Sequence, residues 1–338
     1  MEPFLFSIAV ISYNNFQYIF ETLDSIFKQD YPCLEILVSN DASEDFDMLR
    51  VIDYIEKNKK ENIVSYNVWQ QENNLGTVAN AEFCRKNAHG KAFFLIAADD
   101  TLACSNAITC FAEAMCQNPR EEIFCGNVNM CDESMEIIKH KWTTEKEVEF
   151  IKNNEFQKIF STLSVRTIIP TTGTAYRTDF LEKMGGYDQK YKLIEDLPLY
   201  LRAMRLKIPV CWIDDVVISN HRAGGICHKE IDFKDKVFAL FIKDRIDVFL
   251  KEIFPYMDLL TDNDTNEMLD FWYSCKLQYE RTYANTIMGR MLLRAKYNTP
   301  KTIIFSLKFR EVRNNNWKNI IAAYSKVVKF HIRKKFKR

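Results

Sequence analysis

FLFSIAVISYNNFQYIFETLDSIFKQDYPCLEILVSND, residues 4–41, is where the fold declares itself. An apolar, β-branched run stops at Ser12-Tyr13-Asn14, a helical pattern covers 16–27, and a second apolar run, LEILVS, stops at Asn40-Asp41. The unit then repeats. A helical pattern over 46–57 leads to IVSYNVW and Asn73-Asn74-Leu75-Gly76; another over 78–87 leads to AFFLIA and Asp99-Asp100. Strands alternating with helices of about ten to fifteen residues build βαβ units on a parallel sheet. Ligands on such sheets bind beyond the carboxyl ends of the strands. Because the chain turns polar at four successive strand ends, those ends are expected to share one polar cleft.

From about 120 to 225, shorter strand patterns mix with Gly-Gly pairs, and a helix is expected to start near Asp196. From Lys229 onward the pattern is largely helical. The expected organisation is an α/β domain over 1–228 and a helical C-terminal region over 229–338.

With 338 residues, 47% of them hydrophobic, the chain can bury a substantial core, which argues against disorder. The first eleven residues contain Glu2 and Pro3, have no basic n-region, and are too short in their apolar part for a signal peptide or a membrane span. A cytoplasmic protein is expected. The ten cysteines include no C-x-x-C, and Cys104, Cys110 and Cys116 recur every six residues, a poor spacing for one helical face. They read as reduced core residues.

Formal net charge is zero, yet nine Lys or Arg and no acid follow Glu311, so the first 311 residues carry a net −9. An acidic body is not a nucleic-acid binder. In the tail, Trp317, Ile320, Ile321, Tyr324, Val327, Val328 and Ile332 fall on one helical face, the basic residues occupy the rest, and RKKFKR closes the chain. That pattern suits an interfacial helix on anionic lipid, at the inner face of a cell membrane, or a helix docked on the body with a solvated charged end.

The nine glycines contain neither G-x-G-x-x-G nor G-x-x-x-x-G-K-[ST], which excludes a dinucleotide fingerprint and a P-loop. Asp99 and Asp100 instead place carboxylates where a buried strand opens to solvent, a setting that suits Mg²⁺ or Mn²⁺. Alternatively, Asp100 caps a following helix.

Five segments occur in an order that resembles the family 2 nucleotide-sugar glycosyltransferases: AVISYNN (9–15), SNDASED (39–45), NNLGTVANAEFCRKNAHGKAFFLIAADD (73–100), IPTTGTAYRTDFLEKMGGYDQKYKLIEDLPLYLRAM (169–204) and HRAGGIC (221–227). The resemblance spans about 5–228 and implies a GT-A-like α/β fold with a mostly parallel sheet. It also implies an inverting sugar transfer assisted by Mn²⁺ or Mg²⁺, from a UDP-sugar to a hydroxyl of a glycan or lipid-linked acceptor, in surface polysaccharide synthesis such as capsule or lipopolysaccharide.

Carried onto this chain, the resemblance puts Ser12, Tyr13, Asn14, Gly76 and Asn80 around the donor. Asp41 would accept from the imide N–H of uracil, which an acceptor-only carboxylate favours; otherwise it forms an Asx turn before Ser43. Asp99, with Asp100, would hold the metal, whereas Ala97 stands where the family has the first acid of its DXD motif, so that a ribose contact is either missing or supplied elsewhere. Asp196 would be the base and Glu195 an acceptor-orienting neighbour, unless both merely cap their helix. Arg222 would meet the diphosphate, with Gly225 allowing close approach. His221 is a metal ligand or an ordinary hydrogen-bonding residue, and Thr172, Gly173 and Thr174 would line the acceptor side. Two other readings compete: a nucleotidyltransferase, although no Gly-, Arg- and Lys-rich segment near the start cradles a triphosphate, or an inactive binding protein of the same fold, which Ala97 favours.

Overall fold

The computed structural model describes residues 2–224 and 235–261. In chain order it forms β1 (Phe6–Ser12), α1 (Ile19–Phe27), β2 (Leu34–Asn40), α2 (Met48–Asn58), β3 (Ile63–Gln70), α3 (Thr77–Lys86) and β4 (Ala92–Ala97). The alternation expected from the sequence is thus present. The second half adds β5 (Thr101–Leu102), α4 (Ala107–Gln117), β6 (Ile123–Cys131), β7 (Ile138–Lys141), α5 (Glu145–Lys152) and α6 (Phe156–Val165). It is completed by β8 (Thr174–Arg177), α7 (Thr178–Lys183), α8 (Asp196–Arg205), β9 (Val210–His221) and α9 (Lys236–Val248).

One sheet runs β3-β2-β1-β4-β8-β6-β9-β5, with β7 added beside β6. Its first four strands are parallel, and their register sets the cleft: Ser12 lies opposite Asn40, Asn40 opposite Gln70, and Ile11 opposite Ala97. The polar strand ends are therefore level with one another. β8 pairs antiparallel with both β4 and β6, β9 runs parallel to β6, and β5 pairs antiparallel with the end of β9 through Thr101–Asn220 and Leu102–Ser219. That last ladder carries His221 back beside the Asp99-Asp100 turn.

Side chains of successive strand residues leave opposite faces of the sheet, and helices cover both. Phe6, Ile8, Val10, Ile36, Val38, Phe94 and Ile96 pack with residues of α1, α2 and α4 on one side. Ala9, Leu37, Phe93 and Leu95 pack with residues of α3, α6, α8 and α9 on the other. In α9, Phe238, Ile242 and Ile246 recur every four residues and join this second cluster, the single apolar stripe of a helix docked on a core.

Several expectations change. The residues after Asp100 form β5 rather than a helix, and the next helix, α4, has Asn106 at its N-cap, so Asp100 caps nothing. All eight cysteines among the described residues are free, but only Cys84, Cys125 and Cys131 are buried, and Cys116 is exposed. No helix among the described residues is long and apolar enough to cross a membrane. Gly225 and the basic tail lie outside the described residues.

Candidate active site

At the ends of β1 and β2, Asn40 closes the strand with a side-chain bond three residues on, its Oδ1 accepting from Ser43 N at 2.8 Å. Its amide donates to Ser12 Oγ at 3.2 Å and Ser43 Oγ at 2.9 Å, while Ser43 Oγ accepts from Asn14 N at 2.8 Å. Ser12 Oγ in turn donates to Asn15. Polar side chains thus tie the ends of β1 and β2 together where no helix or ladder continues. Tyr13 protrudes from this knot, 44% exposed.

Asn40 takes the Ser43 amide, and the Asp41 carboxylate forms no Asx turn but bonds elsewhere. Its Oδ1 accepts from Leu75 N at 2.7 Å and its Oδ2 from Gly76 N at 2.9 Å, binding the Asn73–Gly76 turn to the end of β2. Gly76 has φ +90°, and a Cβ there would lie 2.7 Å from the carbonyl oxygen of Lys192, so the turn excludes a side chain. Asn80 is buried between α3 and β2, donating to the Ser39 carbonyl at 3.0 Å and accepting from Ser39 Oγ at 2.5 Å. It fixes the helix to the strand and does not face the cleft.

At the end of β4, Asp100 is buried and accepts from Arg222 N at 3.1 Å and pairs with His221 Nδ1 at 3.0 Å. Thr22 Oγ1 holds its carbonyl at 2.6 Å. Burial pulls the His221 pKa down, but the charges of Asp100 and Asp99 outweigh it, and the imidazole titrates above its usual value. Asp99 receives no hydrogen bond from another side chain among the described residues; burial, then the charge of Asp100, pushes its carboxyl up to about 6.

Arg222 departs from expectation. It is 4% exposed, stacks 4.1 Å from the Tyr18 ring, and donates to the Asp99 carbonyl at 3.1 Å, the Glu133 carbonyl at 2.5 Å and Glu21 Oε2 at 2.5 Å. A guanidinium has five N–H donors in a fixed fork. With its fork turned into these partners, Arg222 braces the Asp99-Asp100 turn from behind and is not presented to a diphosphate.

On the opposite wall, Thr171 Oγ1 donates to Glu195 Oε1 at 3.2 Å, and Asp196 Oδ1 accepts from Leu197 N at 2.6 Å. Glu195 occupies the N-cap of α8 without a side-chain capping bond, so capping does not explain it. Burial first and the neighbouring Asp196 charge second push the Glu195 carboxyl up to about 8. Burial also raises Asp196, against hydrogen bonds from Leu197 and Thr171 and the Arg245 charge. Thr172 reaches the cleft, while Gly173 and Thr174 are buried and do not line it; the wall is instead made with the preceding Thr167, Pro170 and Thr171.

A cavity of about 230 Å³ joins the end of β4 to this wall, lined among others by Thr77, Ala97, Asp100, Glu195, Asp196 and His221, whereas Ser12, Tyr13, Asn14, Asp41, Gly76 and Asp99 do not line it. Trp142, Phe241 and Arg245 also line it. Trp142 packs edge-on to His221, with ring centroids 5.5 Å apart, and its Nε1 donates to Thr167 O at 2.8 Å. The sequence did not single out these three: Trp142 lies between the matching segments, and Phe241 and Arg245 lie beyond residue 228, where the motif resemblance ends.

No group of three or more His, Cys, Asp or Glu side chains among the described residues forms a ready metal cage. A hard cation still fits beside Asp99, because Mg²⁺ and Mn²⁺ bind through one or two carboxylates and complete their shells with phosphate and water. The half-buried Asp99, which receives no side-chain hydrogen bond among the described residues, supplies such a carboxylate.

Comparison with known proteins bears on this geometry. The model of glycosyl transferase family 2 matches residues 7–185, more than half of the chain. An uncharacterized glycosyltransferase of Haemophilus influenzae is 34% identical over 96 residues, which is 28% of each chain. The solved structure of S. aureus TarS in complex with UDP-GlcNAc superposes with a TM-score of 0.54 at 17% identity, covering 97% of this chain and 92% of that one. Mannosyltransferase PcManGT from Pyrobaculum calidifontis, in complex with GDP-Man and Mn2+, gives 0.53 at 15% identity, covering 97% and 87%. Ordered motifs, the parallel core with its level polar strand ends, and the matching model together show that this chain belongs to glycosyl transferase family 2, with the GT-A-like fold of its structural neighbours.

Proposed function

We propose that the protein is an inverting glycosyltransferase that moves a sugar from a UDP-type nucleotide donor to a hydroxyl of a glycan or lipid-linked acceptor in surface polysaccharide synthesis. The observation that carries this is the convergence of Asp100, His221, Glu195 and Asp196 on one cavity, with Asp99 half-buried beside it. The donor base would lie along Ser12, Tyr13 and Asn14, with Asp41 holding the turn that forms its far edge. Asp99, flanked by Asp100, would hold Mn²⁺ or Mg²⁺, which when bound offsets the charge that develops on the leaving diphosphate.

Asp196 takes the proton of the acceptor hydroxyl as that oxygen attacks the anomeric carbon from the side opposite the diphosphate. A single displacement of this kind inverts the configuration. With its carboxyl raised to about 8, Glu195 stays protonated at neutral pH and orients the acceptor without adding charge beside the base. The division of labour follows from two adjacent carboxyls in one poorly solvated site, where only one ionises readily.

Incubation with UDP-sugars, Mn²⁺ and an acceptor should release UDP, whereas release of pyrophosphate would establish a nucleotidyltransferase. Asp196→Asn should lower turnover roughly 10²- to 10⁴-fold with donor binding kept; unchanged turnover would reject Asp196 as base. We also propose that the basic tail holds the protein at an anionic membrane surface, which suits a lipid-linked acceptor. Removing residues 317–338 should abolish flotation with anionic vesicles, and retained flotation would refute the tail's role.

A further inference from the structure

Helix α9 lies beyond the span matched by the family model, which ends at residue 185, yet two of its residues, Phe241 and Arg245, line the cavity beside Glu195 and Asp196. Between them sits Asp244, 1% exposed. Its Oδ2 accepts from the backbone of both Lys192 and Leu193, at 2.6 and 2.7 Å. Its Oδ1 is buried with no hydrogen-bond partner among the described residues. Burying a carboxylate with one oxygen unbonded is costly, and the two bonds to Oδ2 are what offset that cost.

What it holds is the segment leading directly into the proposed base. Leu193, Ile194, Glu195 and Asp196 are consecutive, and all four line the cavity. The same segment reaches the donor side: Lys192 O accepts from Val78 N at 3.1 Å, and Lys192 Nζ donates to Leu75 O at 3.2 Å. Leu75 and Gly76 are the residues clasped by Asp41. An unbroken line of contacts therefore runs from Asp41 at the end of β2, through the Leu75–Gly76 turn and Lys192, to Asp244 on α9.

We propose that Asp244 is a positioning residue for sugar transfer, setting the Lys192–Asp196 segment against the Leu75–Gly76 turn so that donor and base sit in register. The inference rests on the glycosyltransferase reading. It adds that α9 is a working wall of the site rather than an appended element. A misplacement of about 1 Å at reacting groups costs as much as 10²-fold in rate.

The test compares Asp244→Ala, Asp244→Asn and Val248→Ala in the full chain. Val248 is fully buried on the same helix and does not line the cavity, so its truncation measures what loosening α9 does by itself. Asp244→Ala should lower kcat for transfer roughly 10- to 100-fold at a temperature where all variants are folded. Asp244→Asn keeps an oxygen that accepts both N–H groups and should restore most of that loss, while Val248→Ala should match Asp244→Ala in melting temperature but keep kcat. Hydrogen exchange over 190–197 should speed up in Asp244→Ala alone, a readout independent of any substrate. Equal kcat in Asp244→Ala and Val248→Ala, or unchanged exchange over 190–197, would overturn the proposal. Absence of transfer by the wild-type protein with exchange behaving as expected would instead reject the glycosyltransferase reading.

Discussion

Two adjacent acids, Glu195 and Asp196, share one poorly solvated wall, and their proton affinities separate as a result. In the folded chain Glu195 titrates at about 8, against an ordinary value of 4.5. The folded form keeps a proton that the unfolded form releases, so this group's contribution to stability is complete below about pH 4.5 and is lost as pH rises toward 8. Glu195→Gln removes that titration. Its melting temperature should fall less steeply than that of the wild type across this interval, and parallel pH profiles would show that Glu195 is not the group involved. Arg222 teaches the complementary lesson at the same scale. An Arg beside a Gly-Gly pair is chemically suited to phosphate, but three protein acceptors and the Tyr18 ring occupy it in the fold.

Between β3 and α3, a turn of four residues does the work that longer elements do elsewhere. Asp41 supplies two acceptor bonds to it, and the Lys192 carbonyl lies where a Cβ on residue 76 would sit. Gly76→Ala meets both a positive φ and that carbonyl, so we expect a loss of about 1–3 kcal/mol in denaturant unfolding. Because the turn borders the proposed donor site, thermal stabilisation by UDP should weaken in the same variant. Full retention of both would place the Lys192 segment elsewhere in solution. α8 shows a related economy: its first residue, Asp196, bonds to the following amide and still lines the cavity, so one position serves helix and site together.

At the scale of the molecule, one side of the sheet is covered jointly by α3, α6, α8 and α9. Phe238, Ile242, Ile246 and Val248 of α9 share a buried cluster with Tyr191, Leu197 and Tyr200, so the apolar core continues across residue 228. A chain ended at 228 would leave that face open to water, and each large side chain uncovered costs about 1.5–3 kcal/mol of burial. We expect such a truncation to lose its cooperative thermal transition or to aggregate. A sharp, reversible melt near that of the full chain would show that the α/β domain is self-sufficient.

Local pattern alone determined the alternation of β1 to β4 with α1 to α3, the polar strand ends, and the acids at the start of α8. Each of these is written in a periodicity of two or 3.6 residues, or in the residue that follows it. Only the tertiary structure decided which polar groups meet. His221 reaches Asp100 across 121 positions because β9 returns beside β5, and Asp244 reaches Lys192 across 52 because α9 docks on the same side of the sheet as α3, α6 and α8. Side-chain periodicity repeats within a few residues and carries no information about such pairings. They are set by which apolar faces cover one another when the whole sheet is packed.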